Sequence, residues 1–203
     1  RADVMQVTQG DGGFDEAIHD AQGLVVRTYT QVDEALLQSA PSLKVVGRAG
    51  TGLDNIDLEA CAARGIEVVH VPDANRQAVV EYVTSMLARI VRPLPPPIEG
   101  GMSSEAWTAM RRAAIAPRQM SELRLGVLGL GRIGTRVAQI AAAIGFDVRY
   151  TDLRNIPEGD RGGACPVPFE SLLAESDILT VHVDGRPGNH HLLSGDRLDT
   201  MRP

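Results

Sequence analysis

Short runs of valine and leucine alternate along this chain with segments in which apolar residues return every three or four positions. Gly23-Leu-Val-Val-Arg-Thr, Leu43-Lys-Val-Val-Gly-Arg and Gly65-Ile-Glu-Val-Val-His are nearly continuous apolar runs, the pattern of strands covered on both faces of a parallel sheet. Between them, Val32 to Ser39 has helical spacing and is stopped by Pro41. Asn55 to Arg64 reads as a second helix, with Asn55 or Asp57 as its cap and Gly65 just past its end. A longer helix starts at Asn75 as cap and sets Val80, Val83, Met86, Leu87 and Ile90 on one face before Pro93 ends it. This alternation predicts an α/β domain over residues 1–92 with a parallel sheet. Pro93-Leu-Pro-Pro-Pro and then Gly100-Gly101 read as a connector, first stiff and then flexible, leading into a second domain over 93–203.

The second domain opens with a short helix around Ser104-Glu-Ala-Trp-Thr-Ala-Met-Arg-Arg, where Trp107, the only tryptophan, reads as a packing anchor. Then comes Leu125-Gly-Val-Leu-Gly-Leu-Gly-Arg-Ile-Gly, an apolar strand running into Gly129, Gly131 and Gly134, followed by a helix with Ile133, Val137, Ile140 and Ala141 on one face. Gly129 permits the turn out of the strand, Gly131 lets a pyrophosphate approach the backbone, and Gly134 lets the helix pack close to the sheet. The helix start supplies unpaired N–H groups and the positive end of its dipole. Gly145 closes the helix, and a second strand ends in Asp152, eighteen residues past Gly134. A glycine-rich turn alone is weak evidence, but strand, loop, helix and acid together define a dinucleotide site. The Asp152 carboxylate suits ribose hydroxyls and repels a 2′-phosphate, which favours NAD over NADP, while Arg154 leaves some room for a phosphate. A helix at Phe169–Glu175, a strand at Asp177–Val183 and a helix near Ser194–Met201 complete the pattern.

Composition narrows the function without redirecting it. The 203 residues are 43% hydrophobic, enough for packed cores, and the formal charge of −6 argues against a non-specific nucleic-acid surface. No apolar run approaches a membrane span. No signal-peptide pattern stands at the start, which makes the cytoplasm the default, although a first residue other than Met leaves room for a lost leader. Cys61 and Cys165 are too few for a disulfide framework, and Cys61 lies within a helix pattern as a small buried hydrophobe. His190 and His191 are adjacent, cannot share a helix face and have no further ligands near them in sequence, so they read as loop residues and not as a metal site.

Val46-Gly-Arg-Ala-Gly-Thr-Gly-Leu-Asp-Asn-Ile-Asp, Val71-Pro-Asp-Ala-Asn, Trp107, the glycine loop and Leu172-Leu-Ala-Glu-Ser-Asp-Ile-Leu-Thr-Val-His resemble, in this order, the D-isomer-specific 2-hydroxyacid dehydrogenases. The likeness is greatest to members that oxidise 3-phosphoglycerate. The resemblance implies a flavodoxin-like substrate domain followed by a Rossmann NAD-binding domain. It also implies hydride transfer between nicotinamide and C2 of a 2-hydroxy acid, and homo-oligomeric assembly. On this pattern Thr51, the loop residues Gly129, Gly131, Arg132, Ile133 and Gly134, and Asp152 contact the cofactor. His182 sits at a strand end that matches a family position near the dinucleotide, where a structural role is equally open. After it, Val183-Asp-Gly replaces the family's frequent Thr-Pro and removes one hydroxyl. The family's catalytic arginine, acid and histidine follow the position where this sequence ends in Met201-Arg-Pro203. The family's first strand and C-terminal helix are also missing, so the sequence is expected to be a fragment without turnover of its own.

The substrate reading rests on Arg27 and Arg48, each at the end of a valine-rich strand and so at the carboxyl edge of the first sheet, where open α/β sheets bind ligands. Two guanidinium forks there suit a doubly anionic molecule. The loop Ala49-Gly50-Thr51-Gly52 can present N–H groups to a carboxylate, with Asn75 across from it. Arg76 departs from the family's small residue and either adds positive charge or narrows the pocket. This favours 3-phosphoglycerate over glyoxylate or hydroxypyruvate. The alternatives are that both arginines make surface ion pairs, or that the protein is a dinucleotide-binding regulator.

Overall fold

The computed structural model describes residues 3–93 and 100–202, which fall into two units dividing between Asn75 and Arg76. The first contains α1 (Phe14–Asp20), β1 (Gly23–Val26), α2 (Glu34–Ser39), β2 (Val45–Arg48), α3 (Leu58–Ala63) and β3 (Glu67–His70). Its three strands lie side by side in chain order, all parallel, with Val26 opposite Arg48 and Arg48 opposite His70. The core beneath them joins Val26, Val46, Leu36, Leu37, Cys61 and Ile66 to Phe14 and Ile18 of α1. Cys61 is fully buried, which pushes its thiol above the ordinary range, while Cys165 is exposed. Helix α1 had no clear sequence pattern because only Phe14 and Ile18 of its seven residues are buried.

Two helix starts differ from the sequence reading because the expected first residue is bonded elsewhere, Val32 through its backbone and Asn55 through its side chain. Val32 forms a parallel bridge with Ile56, so α2 begins at Glu34, with Asp33 accepting the Leu36 N–H at 2.9 Å. Asp57 caps α3 by accepting the Ala60 N–H, whereas Asn55 is buried and donates to the carbonyls of Arg27 (2.8 Å) and Thr30 (2.6 Å). A buried amide that satisfies two orphan carbonyls gains more than an exposed cap would offer.

The second unit comprises α4 (Arg76–Val91), α5 (Ser104–Ala113), β4 (Arg124–Leu128), α6 (Arg132–Ala143), β5 (Asp147–Thr151), β6 (Cys165–Pro166), α7 (Phe169–Glu175), β7 (Ile178–Val181) and α8 (Gly195–Leu198). Its parallel sheet has the order β6-β5-β4-β7. Relative to its own first strand that is 3-2-1-4, the Rossmann order. The two-residue β6 is too short to leave a sequence signal.

The long helix α4 belongs to this second unit and not to residues 1–92 as the connector suggested. Val80, Leu87 and Val91 are buried in one cluster with Val137, Ala138 and Ala141 of α6, with Val83 packed alongside. Apolar burial on α6 outweighs the break at Pro93. Ile90, expected on the same face, is 64% exposed, as is Tyr82. Trp107 is also not the expected anchor: it is 51% exposed, on a helix capped by Ser103 that buries no residue. Residues 94–99, the centre of the connector, lie outside the described residues. Among those described, no helix is long and apolar enough to cross a membrane, and no group of three or more His, Cys, Asp or Glu could hold a metal.

Candidate dinucleotide site and substrate edge

Strand β4 has β5 on one side and β7 on the other, so the direction of winding reverses at its carboxyl end, and open α/β sheets leave a crevice at such a point. A cavity of about 740 Å³ lies there. Leu128, Gly129 and Gly131 form its floor, residues 151–154 one wall, and residues 182–184 with Arg186 the other, while Phe169 and Leu192 add apolar surface.

The glycines do what their spacing implied. Gly129 turns out of β4 at φ +90°, and a Cβ there would press within 3.0 Å of the His182 backbone. A Cβ on Gly134 would run into the carbonyl oxygen of Gly129, so the helix can lie this close to the loop only without a side chain. Gly131 has no atom within 4 Å of a would-be Cβ and faces open space, which leaves its backbone approachable. It is also the N-cap of α6, with no side chain bonding the first-turn N–H groups. Arg132 is exposed at that helix start, Ile133 turns its side chain towards the core, and Gly134 is buried. The backbone N–H groups here are placed to receive phosphates. These features fit a dinucleotide pyrophosphate.

Asp152 stands at the end of β5 as expected, but its carboxylate is already engaged. Oδ2 accepts the Leu130 N–H at 2.7 Å, and Oδ1 accepts the Arg154 N–H at 2.9 Å and the Arg154 Nε–H at 3.1 Å. Burial pushes this carboxyl up, but the bonds from Arg154 and Leu130 outweigh it and hold it below the ordinary carboxylate range. Arg154, which in the sequence left some room for a phosphate, is the residue that bonds to this carboxylate.

His182 lines the cavity. Its backbone N–H donates to the Leu128 carbonyl at 2.8 Å, its Nε2 lies 2.9 Å from Thr180 Oγ1, and burial lowers its pKa, which favours the neutral ring. His190 and His191 lie outside the cavity lining, ring against ring at 3.9 Å. Sequence reasoning missed Leu153, 85% exposed on the cavity wall, and Arg186, held by Asp184. Leu153 follows Asp152 directly, which was its only signal. Arg186 had none, because the Asp184 partner sits in a loop with no periodicity.

Arg27, Arg48, Ala49, Gly50, Thr51 and Asn75 all belong to the first unit. Arg48 ends β2 at the carboxyl edge and folds back over its own loop, donating from Nη1 to the Ala49 carbonyl (2.9 Å) and from Nη2 to Thr28 Oγ1 (3.4 Å). Its Nε is buried without a hydrogen-bond partner. A side chain on Gly50 would collide with this guanidinium. Arg27 follows β1 and is exposed. Thr51, expected at the cofactor, has its one hydroxyl proton between Asn75 Oδ1 (2.9 Å) and the Pro72 carbonyl (3.2 Å), and it is not among the residues lining the cavity.

A Rossmann sheet with this loop and cavity defines a dinucleotide-binding α/β protein. The family profile "D-isomer specific 2-hydroxyacid dehydrogenase, catalytic domain" matches residues 5–128, and that family's NAD binding domain matches residues 85–203. The chain belongs to this family and carries its NAD-binding domain. It is 34% identical over 188 residues to a D-3-phosphoglycerate dehydrogenase of Mycobacterium bovis, which covers 92% of this chain and 35% of that protein. The chain therefore spans about a third of the length of such relatives. Among solved structures, the D-lactate dehydrogenase of Aquifex aeolicus complexed with NAD and lactic acid superposes with a TM-score of 0.77 at 28% identity, over 93% of this chain and 56% of that one. The NAD+-bound 3-phosphoglycerate dehydrogenase of Entamoeba histolytica superposes at 0.72 and 25% identity, over 96% and 57%.

Proposed function

We propose that this chain is part of an NAD-dependent dehydrogenase that moves a hydride between nicotinamide and C2 of a D-2-hydroxy acid, with 3-phosphoglycerate as substrate. The observation that carries the substrate is Arg48, a guanidinium at the carboxyl edge of the first sheet with a buried Nε that lacks a partner. Arg27 at the neighbouring strand end adds a second fork for a second anionic group. The relatives named D-3-phosphoglycerate dehydrogenase agree with this. Bound NAD supplies the hydride chemistry. Gly129, Gly131 and the first turn of α6 would hold its pyrophosphate and Asp152 its ribose, with His182 forming part of a wall and bonded to Thr180.

The 203-residue chain by itself is expected to bind NAD without turnover, since among the described residues no histidine paired with a carboxylate lines the cavity. Exposed apolar residues on the second unit, Tyr82, Ile90, Trp107 and Ile115, support a homo-oligomer. A second reading, a small monocarboxylate such as lactate, draws on the likeness to the lactate-bound neighbour. Steady-state kinetics of the natural enzyme with 3-phosphoglycerate and with lactate separate the two. Arg48→Ala should lower kcat/KM for the phosphorylated acid at least about tenfold more than for lactate, the scale of one charge-assisted hydrogen bond. Equal losses exclude the phosphate reading.

A further inference from the structure

We propose that Asp184 and Arg197 are positioning residues that hold the loop after β7 as a ready-formed wall of the cavity, so that a bound dinucleotide does not have to order it. This rests on the cavity being the dinucleotide site. Between β7 and α8 the chain runs Val183-Asp-Gly-Arg-Pro-Gly-Asn-His-His-Leu, with glycines at 185 and 188 and a single 3-10 turn over Pro187–Asn189. Glycines give such a stretch more freedom to lose on ordering than other residues do. Yet Val183, Asp184, Arg186, Gly188, Asn189 and Leu192 all line the cavity. A loop of this composition forms a wall only where something fastens it.

The fastening converges on two side chains. The Asp184 carboxylate accepts the Arg186 Nε–H at 2.6 Å and Nη2–H at 2.5 Å, a bidentate fork, and the Arg186 backbone N–H at 3.4 Å. Asn189 closes the turn from the other side, donating from Nδ2 to Asp184 Oδ1 and to the Asp184 carbonyl, both at 3.0 Å. The bond from Arg186 is the main cause that holds the Asp184 carboxyl down at about 2, so this hub is charged throughout the neutral range. At the far end Arg197 of α8 donates from Nη1 to the Leu192 carbonyl at 2.8 Å, and its Cζ lies 5.1 Å from the centre of the Phe169 ring. Leu192 and Phe169 both line the cavity. Between the two clamps stands His191 at φ +55°, among the described residues the one non-glycine residue in the left-handed region. Strain of this kind persists only where the surroundings over-determine the backbone. Asp184 and Arg186 are each more than half exposed, so their pair adds little to global stability. What it fixes is the shape of the wall.

Amide exchange of the natural protein without dinucleotide, titration calorimetry with NAD and urea unfolding, each repeated for Asp184→Ala, Asp184→Asn and Arg197→Ala, test this. Exchange at Asn189, His190 and Leu192, whose N–H groups bond to carbonyls within the loop, should quicken about tenfold in both alanine variants. Each should also bind NAD about tenfold more weakly, with a less favourable binding entropy, since the wall is then ordered at the binding step. Asp184→Asn keeps an acceptor for the Arg186 and Asn189 N–H groups and should fall between. The urea midpoint should stay in place in all three. Arg197 is not among the residues lining the cavity, so weaker binding in its variant reports on the wall and not on a lost contact. The proposal is overturned, with the cavity still the cofactor site, if either alanine variant binds NAD as tightly as the unmutated protein. Weaker binding without faster exchange in the free protein, or a urea midpoint that falls in step with NAD affinity, overturns it equally. If the unmutated protein binds no NAD, the cavity is not the cofactor site and the proposal falls with it.

Discussion

The two parallel sheets of this protein both expose their carboxyl edges, yet they build those edges from different materials. In the second unit the edge is made of backbone: three glycines, an uncapped helix start and a strand end enclose an open cavity. In the first unit the edge is made of side chains that bond to one another and to nearby carbonyls, with Arg48 on Ala49 and Thr28, Thr51 on Asn75, and Asn55 on Arg27 and Thr30. A site of backbone is ready-formed and tolerant of what surrounds it, because its donors cannot turn away. A site of side chains has to exchange internal bonds for ligand bonds, so its affinity depends on what those internal bonds are worth.

The largest expected effect separates two glycines of one loop. Gly134→Val forces a side chain into the Gly129 carbonyl and should cost about 3 kcal/mol of stability, read from denaturant unfolding. Gly131→Ala meets open space at an ordinary φ of −80°. It should leave stability within about 0.5 kcal/mol while weakening dinucleotide binding. If both variants lose equal stability, the loop is a packing element and the contrast with the first unit collapses.

In the first unit Asn55→Ala should cost about 2 kcal/mol, since it strands two carbonyls that the buried amide now serves. The same change should loosen the loop bearing Arg27, visible as faster amide exchange at residues 27–30. Unchanged exchange there would mean that the side-chain edge is held by something other than Asn55.

The smallest effect is a pH dependence. Burial lowers the His182 pKa below its ordinary 6.5. The unfolded chain therefore takes up a proton that the folded chain resists, and stability present above pH 6.5 declines as pH falls from there through the lower folded value. His182→Gln should remove this step from a plot of unfolding midpoint against pH. Asp177 should add a separate decline at lower pH. The bond from Arg118 and the Arg124 N–H hold its carboxyl below 3.8, so its contribution is lost as pH falls through that depressed value. Loss of the upper step in Asp177→Asn, with His182 intact, would show the assignment to be reversed.

Residues 124–152 were legible because every feature there is local. A strand needs an apolar run, a positive φ at Gly129 needs glycine, and the acid at the next strand end follows from the length of one βα unit. The strands of the first unit were legible in place for the same reason, but not in their covering: Val25 is 78% and Val69 44% exposed, so this sheet is not covered on both faces as its apolar runs implied. The boundary between Asn75 and Arg76 and the exposure of Ile90 and Trp107 were not, because the sequence shows that a helix has an apolar face but not which surface covers it. Helix α4 joined the second unit because α6 offers it a complementary face of Val137, Ala138 and Ala141.

The sequence by itself determined the class of the fold, the place of the phosphate loop and the identity of the acid at the end of β5, since each depends on conformational preferences of residues near in the chain. Only the tertiary structure decided what those groups are bonded to. It put Arg154 on Asp152, Thr180 beside His182, Asn75 against Thr51 and the Arg48 guanidinium over Gly50. Hydrogen bonds between side chains are set by which rotamers find a partner in space, and that information is spread over residues whose spacing in the chain carries no period.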